Sequence, residues 1–387
     1  MKKIIIILII QWIVFQSLYS QSKDTAKVTD PLYQKPFLLK FGNLQLGGYT
    51  DMSYEFEREN GITEEATFKA NRFNIFVYSR FFNRATIFGE IEFEEGAEEI
   101  ALEIAQLDFE LTEALNLRAG ILLPPLGRFN VNHDSPKNDF TRRPLVSTEI
   151  IPSTLSEVGG GLFGNVYAGR MRFAYNMYLT NGFTDGIILN GQGGTSFQAG
   201  KPSLGEDNNT APSYTGRIGF IPVPGIEAGL SFHTGAYNTY SVEGVDIDEK
   251  RNEMILAADW DFSRSFKFGT LRLSGEFAYA NVDIPENLAS IYAGKQQGYY
   301  VDLAYDFLKA FVKILPRSYF TFALRYDEIH LNKDIDGDLT RQFSIGLNFR
   351  PFEDSVFRIN YSRGWSYDKV NNLTHTALMT ASIATYF

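Results

Sequence analysis

Apolar and polar side chains alternate along almost the whole of this 387-residue chain, which is the period-2 signature of strands with two unlike faces. From Gln45 to Glu57 the odd positions read Gln, Gly, Tyr, Asp, Ser, Glu and Glu, while the even ones include Leu46, Met52, Tyr54 and Phe56. Between Arg72 and Phe81, Phe73, Ile75 and Val77 oppose Arg72, Asn74 and Arg80. Between Arg84 and Glu95, Ile87, Ile91 and Phe93 oppose Arg84, Glu90, Glu92 and Glu94, so three carboxylates share one face. The pattern runs to the carboxylate itself, through Met379 to Phe387. With a weaker glycine-rich stretch at Val158 to Tyr167, it gives about sixteen segments of about ten residues, an even count.

The connections alternate in kind. Tight ones fall near Asn83, Ala114, Gly169, Pro224, Ser263 and Pro351, and longer polar ones near Asn60, Asp139, Asp207, Val245, Glu286, Asp334 and Val370. Gly96 to Glu99 is a short exception on the long side, and Leu308 to Arg317 a long one on the tight side. The alternation slips near Ile104, where a bulge is expected. Phe307, Tyr319, Phe349, Phe352 and Phe357 gather at strand ends on the tight-turn side, as an aromatic girdle at a membrane interface would. No mature segment is apolar enough for a membrane helix, yet aromatics reach 15%. These features predict an all-β chain, a transmembrane antiparallel β-barrel of about sixteen strands, because only a closed barrel lets strands satisfy their backbones in lipid. A soluble β-sandwich would not keep Phe, Tyr and Leu on one face of so many consecutive strands. A barrel of this strand number encloses an aqueous channel that wall side chains alone cannot fill.

Residues 1–20 read as a signal peptide: Met1-Lys2-Lys3, an apolar run from Ile4 to Phe15, and Ser20 before Gln21. That run is too short to span a bilayer as a helix. Residues 21–36 read as a polar periplasmic lead-in and 37–387 as one barrel domain. No cysteine is present, which excludes disulfides, thiolate metal sites and a lipid anchor. The formal charge of -10, deeper by two once Lys2 and Lys3 are removed, argues against a nucleic-acid partner. The predicted location is the outer membrane of a Gram-negative bacterium.

The third external connection, Leu123 to Glu157, is the longest and is punctuated by prolines. Its embedded Leu145, Val146, Ile150 and Ile151 need a buried partner, so the loop is expected to fold into the lumen and narrow it. Arg142 and Arg143, with Arg128 and Lys137, are the candidate constriction cations, and Arg118 and Arg80 are weaker candidates on the wall. Arginine suits the role because its planar fork stays charged and binds carboxylate or phosphate in two places. The competing assignment is that these cations pair with Asp134, Asp139 or Glu149 to hold the loop's shape.

The stretch Gly120-Ile121-Leu122-Leu123-Pro124-Pro125-Leu126-Gly127, the following Arg142-Arg143-Pro144-Leu145, the segment from Arg80 to Phe93, and the terminal Phe387 resemble the phosphate-selective porin O and P family, in its Bacteroidetes form. The resemblance implies a 16-stranded barrel, commonly a homotrimer, whose third loop lines the constriction. It also implies that Phe387 is an assembly signal read by the barrel assembly machinery. The chain departs from the strongly basic lumen of phosphate-selective members. By parity its lumen carries Arg72, Arg80, Arg84, Arg118, Arg172, Arg217, Arg272, Arg325 and Arg358, but also the carboxylates Glu90, Glu92, Glu94, Glu227, Asp259, Asp261, Glu276, Asp302 and Asp327.

Gly159, Gly161 and Gly164 match a dinucleotide-binding spacing, but no helix follows, and the glycines are expected to let a strand pass beneath the inward loop. Asp334 to Asp338 lacks the offsets of a calcium loop. His133, His233, His330 and His375 fall near external strand ends without a matched nucleophile. The resulting reading is a porin: no enzyme, no cofactor and no metal, with passive diffusion of small hydrophilic solutes and a preference for anions such as phosphate through Arg142 and Arg143. A barrel-embedded surface hydrolase and a structural or adhesive barrel are the rival readings, and single-channel conductance separates them.

Overall fold

A computed structural model describes residues 35–36, 39–191 and 193–387. The expected signal peptide and nearly all of the expected lead-in lie outside the described residues. The chain forms β1 (Leu39–Phe41), β2 (Leu44–Glu59), β3 (Ile62–Phe81), β4 (Ala85–Glu94), β5 (Glu99–Glu110), β6 (Asn116–Leu122), β7 (Glu157–Ala168), β8 (Met171–Thr180), β9 (Ser213–Val223) and β10 (Ile226–Ala236). It continues with β11 (Ser241–Val242), β12 (Val245–Asp246), β13 (Asn252–Phe266), β14 (Gly269–Val282), β15 (Lys295–Phe307), β16 (Tyr319–His330), β17 (Leu339–Arg350), β18 (Ser355–Tyr367) and β19 (Leu373–Tyr386). Sixteen of these, β2 to β10 and β13 to β19, pair antiparallel with their neighbours in sequence. β19 then pairs with β2, Tyr386 opposite Tyr49 and Met379 opposite Phe56, which closes the barrel. β1 folds back on the first residues of β2, and β11 and β12 make a small hairpin in an external connection.

The two faces separate by parity. On β4, Ile87 and Ile91 are exposed, whereas Phe88, Glu90 and Glu92 are buried. Leu230 on β10, Ile345 on β17 and Ile359 on β18 extend the exposed apolar belt, and Arg217, Glu276, Asp327 and Arg358 are buried on the inside. Closure leaves no unpaired edge, so the belt can face lipid without a backbone cost. The bulge is present: Glu90 pairs with Ile104 and Ile91 with Leu102, leaving Glu103 unopposed, so that Glu103 and Ile104 both turn inward.

Several expectations need correction. The connection near Asn60 is a two-residue turn at Asn60-Gly61, and β2 and β3 run on as a long polar hairpin. The expected turn near Ser263 lies at Lys267-Phe268, because β13 and β14 pair out to Phe266 and Gly269. Tyr319 has inward parity, opposite the buried Arg350, and Phe320 takes its place in the girdle. There Phe320 lies 6.1 Å from Phe307 and 4.9 Å from Phe349, which contacts Phe357 at 6.4 Å, centroid to centroid. A Cβ at Gly159 or Gly161 would strike the carbonyl oxygens of Leu179 or Met177 on β8, so these glycines admit a neighbouring strand and not the loop.

Candidate functional site: the third loop and the vestibule

The connection from Leu123 to Ser156 is held by side chains of the inner wall. Glu276 on β14 accepts hydrogen bonds from the backbone N–H of Arg128 (2.5 Å) and of Phe129, and from the Ser147 hydroxyl (3.1 Å). Asp327 on β16 accepts from Leu145 N–H at 3.0 Å, and Asn360 on β18 from Thr141 N–H at 3.0 Å. Arginines from three wall strands donate to loop carbonyls: Arg325 to Arg142 (2.9 Å), Arg350 to Pro136 (2.7 Å) and Arg358 to Ser135 (2.9 Å). Within the loop, Asn130 ties the two limbs, donating to Pro124 O and Leu155 O and accepting from Leu155 N–H at 2.8 Å. A buried loop needs this, since an unpaired backbone group away from water is expensive.

The same loop is apolar where it meets β13 and β14. Leu126, Val146, Ile150, Ile151 and Leu155 pack with Phe183, Ile187 and Phe197 of the connection between β8 and β9. The wall beneath carries Ile255 with Ala257, Ala278 and Ala280, and the small inward side chains of the three alanines leave room for the two connections. Much of the lumen is thus occupied by loop and not by water.

On the β2 to β5 side a cavity of about 960 Å³ remains open. Arg142, Arg143, Lys69, Arg72 and Lys201 line it, together with Glu55, Glu92, Glu94 and Glu149. Arg142 forms a bidentate bond to Glu55, Nη2 to Oε2 at 2.6 Å and Nε to Oε1 at 3.1 Å, and its side chain is 48% exposed. Lys69 reaches the same carboxylate at 3.0 Å, and Arg72 is tied to Glu94 at 2.7 Å and Glu92 at 3.1 Å. Arg143 donates to Ser153 O at 2.6 Å, and among the described residues it makes no ion pair. Burial and the neighbouring Arg72 guanidinium hold Arg143 below its ordinary value. Lys201 likewise has no ion pair among the described residues, and burial, then Arg143, lower its ammonium to about 8.

The remaining sequence candidates sit elsewhere. Arg128 spans to Glu227 on β10 at 2.6 Å and Asp261 on β13 at 3.6 Å. Lys137 lies 3.9 Å from Asp134. Arg118 holds Asp108 through two 2.7 Å bonds, meets the Tyr178 hydroxyl at 3.1 Å, and lies over the Phe163 ring. Arg80 turns to Glu110 and Asn83 O at the tight-turn end of the barrel. Glu90 bonds Asn74 and Lys35. Asp139 pairs with Arg272 and Arg350, and Asp134 with Lys35 and with Lys137, so of the pairings offered as the alternative, Lys137 with Asp134 is present and Arg142 and Arg143 meet neither aspartate. His133 is wedged between Asn130 O and Glu103, and His233 between Glu157 and Glu253. Phe387 stacks on Phe73 on the outer face, its centroid 5.4 Å away.

Lys35 and Lys201 were not among the sequence candidates. Lys201 had a readable signal, because Phe183, Ile187, Ile188 and Phe197 in a nominally polar connection mark it as a buried loop, by the argument applied to the third. Lys35 had none.

No family model matches the chain. An uncharacterized protein of Aquifex aeolicus (strain VF5) is 26% identical over 380 residues, spanning 90% of this chain and 82% of that one. Among solved structures, the fold is similar to OprB of Pseudomonas putida (TM-score 0.56, 10% identity, 89% of this chain and 94% of that one). It is also similar to the outer membrane channel DcaP of Acinetobacter baumannii (0.55, 12%, 89% and 97%) and to an anion-selective porin from Comamonas acidovorans (0.53, 10%, 89% and 99%). The chain shares with them the closed barrel, and with its apolar belt it is a protein of the Gram-negative outer membrane.

Proposed function

We propose that the chain is a porin, a passive diffusion channel for small hydrophilic solutes in which the Leu123 to Ser156 loop sets the passage. The observation that carries this is the vestibule. A wide closed barrel holds a loop against its inner wall and keeps an open, charge-lined cavity beside it. Arg118, Arg217, Arg272, Arg325 and Arg358 on the wall are spent on carboxylates and loop carbonyls, whereas Arg143 and Lys201, which line the cavity, have no carboxylate partner among the described residues and keep charge to offer a solute. That distribution favours anions, phosphate among them, through a local cluster in an otherwise mixed lumen. Glu55 largely neutralises Arg142, so it serves as a rim residue. Phe387 serves assembly, and the barrel functions as a homotrimer, as the resemblance to phosphate-selective porins implies.

Planar-bilayer recording tests the reading. Discrete conductance steps with a reversal potential on the anion side in a salt gradient are expected. A barrel that inserts and never conducts would sink the porin reading, and cation preference would remove Arg143 and Lys201 from their role. Cross-linking in native membranes that captures monomers alone would remove the trimer.

A further inference from the structure

Below the vestibule the ammonium of Lys35 lies buried between the third loop and the barrel wall. Lys35 Nζ lies 2.5 Å from Asp134 Oδ1 in the third loop and 2.7 Å from Glu90 Oε2 on the wall strand β4. Its side chain is 1% exposed, and the ammonium sits 4.9 Å from the centre of the Phe76 ring on β3. The other oxygen of Asp134 accepts from the Tyr386 hydroxyl on β19 at 2.7 Å. Phe76 and Tyr386 belong to a buried cluster with Tyr49, Ile104, Leu123 and Val131. β1, the first described strand after Lys35 in sequence, pairs with the first residues of β2, at the end of the barrel where Phe387 meets Gly48. A residue that precedes the barrel in sequence therefore lies inside it, joined to two walls and to the loop.

Lysine is almost never fully buried unless paired, because its desolvation costs several kcal/mol. Here the pairing is with two carboxylates of different elements, and Glu103 stands nearby on the β5 bulge, 2.7 Å from His133. Removing the ammonium would leave Glu90 without its ion pair and Asp134 with only the more distant Lys137, 3.9 Å away, which weakens the hold of the loop on the wall.

We propose that Lys35 is a latch acting in cis: its ammonium joins the third loop to the β4 wall, and this contact restrains conduction through the end of the lumen opposite the vestibule. The inference rests on the channel reading and adds its regulation. It is tested on the full chain in planar bilayers. Lys35→Met, which keeps the stem and drops the charge, is expected to give steps about twofold larger than the unsubstituted protein, and Lys35→Arg to keep the original size. Because the chain has no cysteine, Lys35→Cys can be modified at one site. Aminoethyl methanethiosulfonate, which restores an ammonium at nearly lysine length, should return its enlarged steps to the original size. That comparison is made before and after reagent in the same inserted channels, so a variant that inserts poorly still reports. Original-size steps in Lys35→Met, or Lys35→Cys steps indifferent to the reagent, overturn the latch and leave the channel standing. No steps from any form overturn the channel reading, and the latch with it.

Discussion

Arg142 and Arg143 are adjacent in sequence and opposite in electrostatic circumstance. Arg142 gives both arms of its fork to Glu55, while Arg143 is bonded only to neutral acceptors, Ser153 O and Thr154 Oγ1. A solute anion therefore gains more from Arg143. Replacing Arg143 with alanine is expected to lower the anion-to-cation permeability ratio about threefold, equivalent to roughly 0.6 kcal/mol, and replacing Arg142 to change it less. Reversal potentials in a salt gradient decide this, and an equal or inverted ranking refutes it. Lys201 adds a pH signature. An ordinary lysine titrates near about 10.4, but burial and then Arg143 bring this one down to about 8. It is charged at neutral pH and loses its proton as the medium rises through that value, so anion preference should fall between about pH 7 and pH 9. Lys201→Met should begin with the weaker preference and show no such step.

At the scale of elements, legibility followed the solvent. Where a strand divides lipid from lumen, parity is imposed by two different media, and the slip at Ile104 located a real bulge at Glu103. Beyond the lipid the constraint lapses: Arg58-Glu59 and Thr63-Glu64-Glu65 are polar on both faces and read as loop, although they pair as β2 and β3. Tyr319 was misassigned because tyrosine is tolerated at an interface and in a polar lumen alike. The third loop was legible as buried from Leu145, Val146, Ile150 and Ile151, but not the manner of its anchoring, which uses wall carboxylates and arginines whose partners are backbone atoms. Backbone leaves no mark in composition. Asn130 is the internal tie of that loop, and its side chain is fully buried. Asn130→Ala strands Leu155 N–H and should destabilise the loop by about 1–3 kcal/mol while leaving the strand ladder intact. Faster proteolytic cleavage within residues 123–156, at unchanged β-sheet circular dichroism, is the expected result, and unchanged cleavage would show that the clasp is dispensable.

For the whole molecule, the strand count and closure were readable, but the degree of filling was not. An estimate of lumen width from strand number treats the interior as walls around water. Here two connections and one lysine enter it, and the alanines at 257, 278 and 280 that admit them look, in sequence, like ordinary strand residues. The closing seam runs from Thr376 to Tyr386 and is extended by Phe387. Phe387 donates its N–H to Gly48 O at 2.9 Å and accepts from Gly48 N–H at 3.1 Å, which completes the β19 to β2 seam. Its ring covers Phe73 on the outer face, nearly parallel to it, and a Cβ at Gly48 would collide with that ring. The seam is the last pairing a sequentially formed sheet can make, and until it forms both edges are unsatisfied in lipid. Deleting Phe387 removes two backbone hydrogen bonds and the stack from that step, yet touches nothing in the vestibule. The expected outcome is a severalfold loss of barrel recovered in the outer membrane, with the permeability ratio of the channels that do insert unchanged. Normal recovery would deny Phe387 an assembly role, and altered selectivity would mean that the seam communicates with the loop.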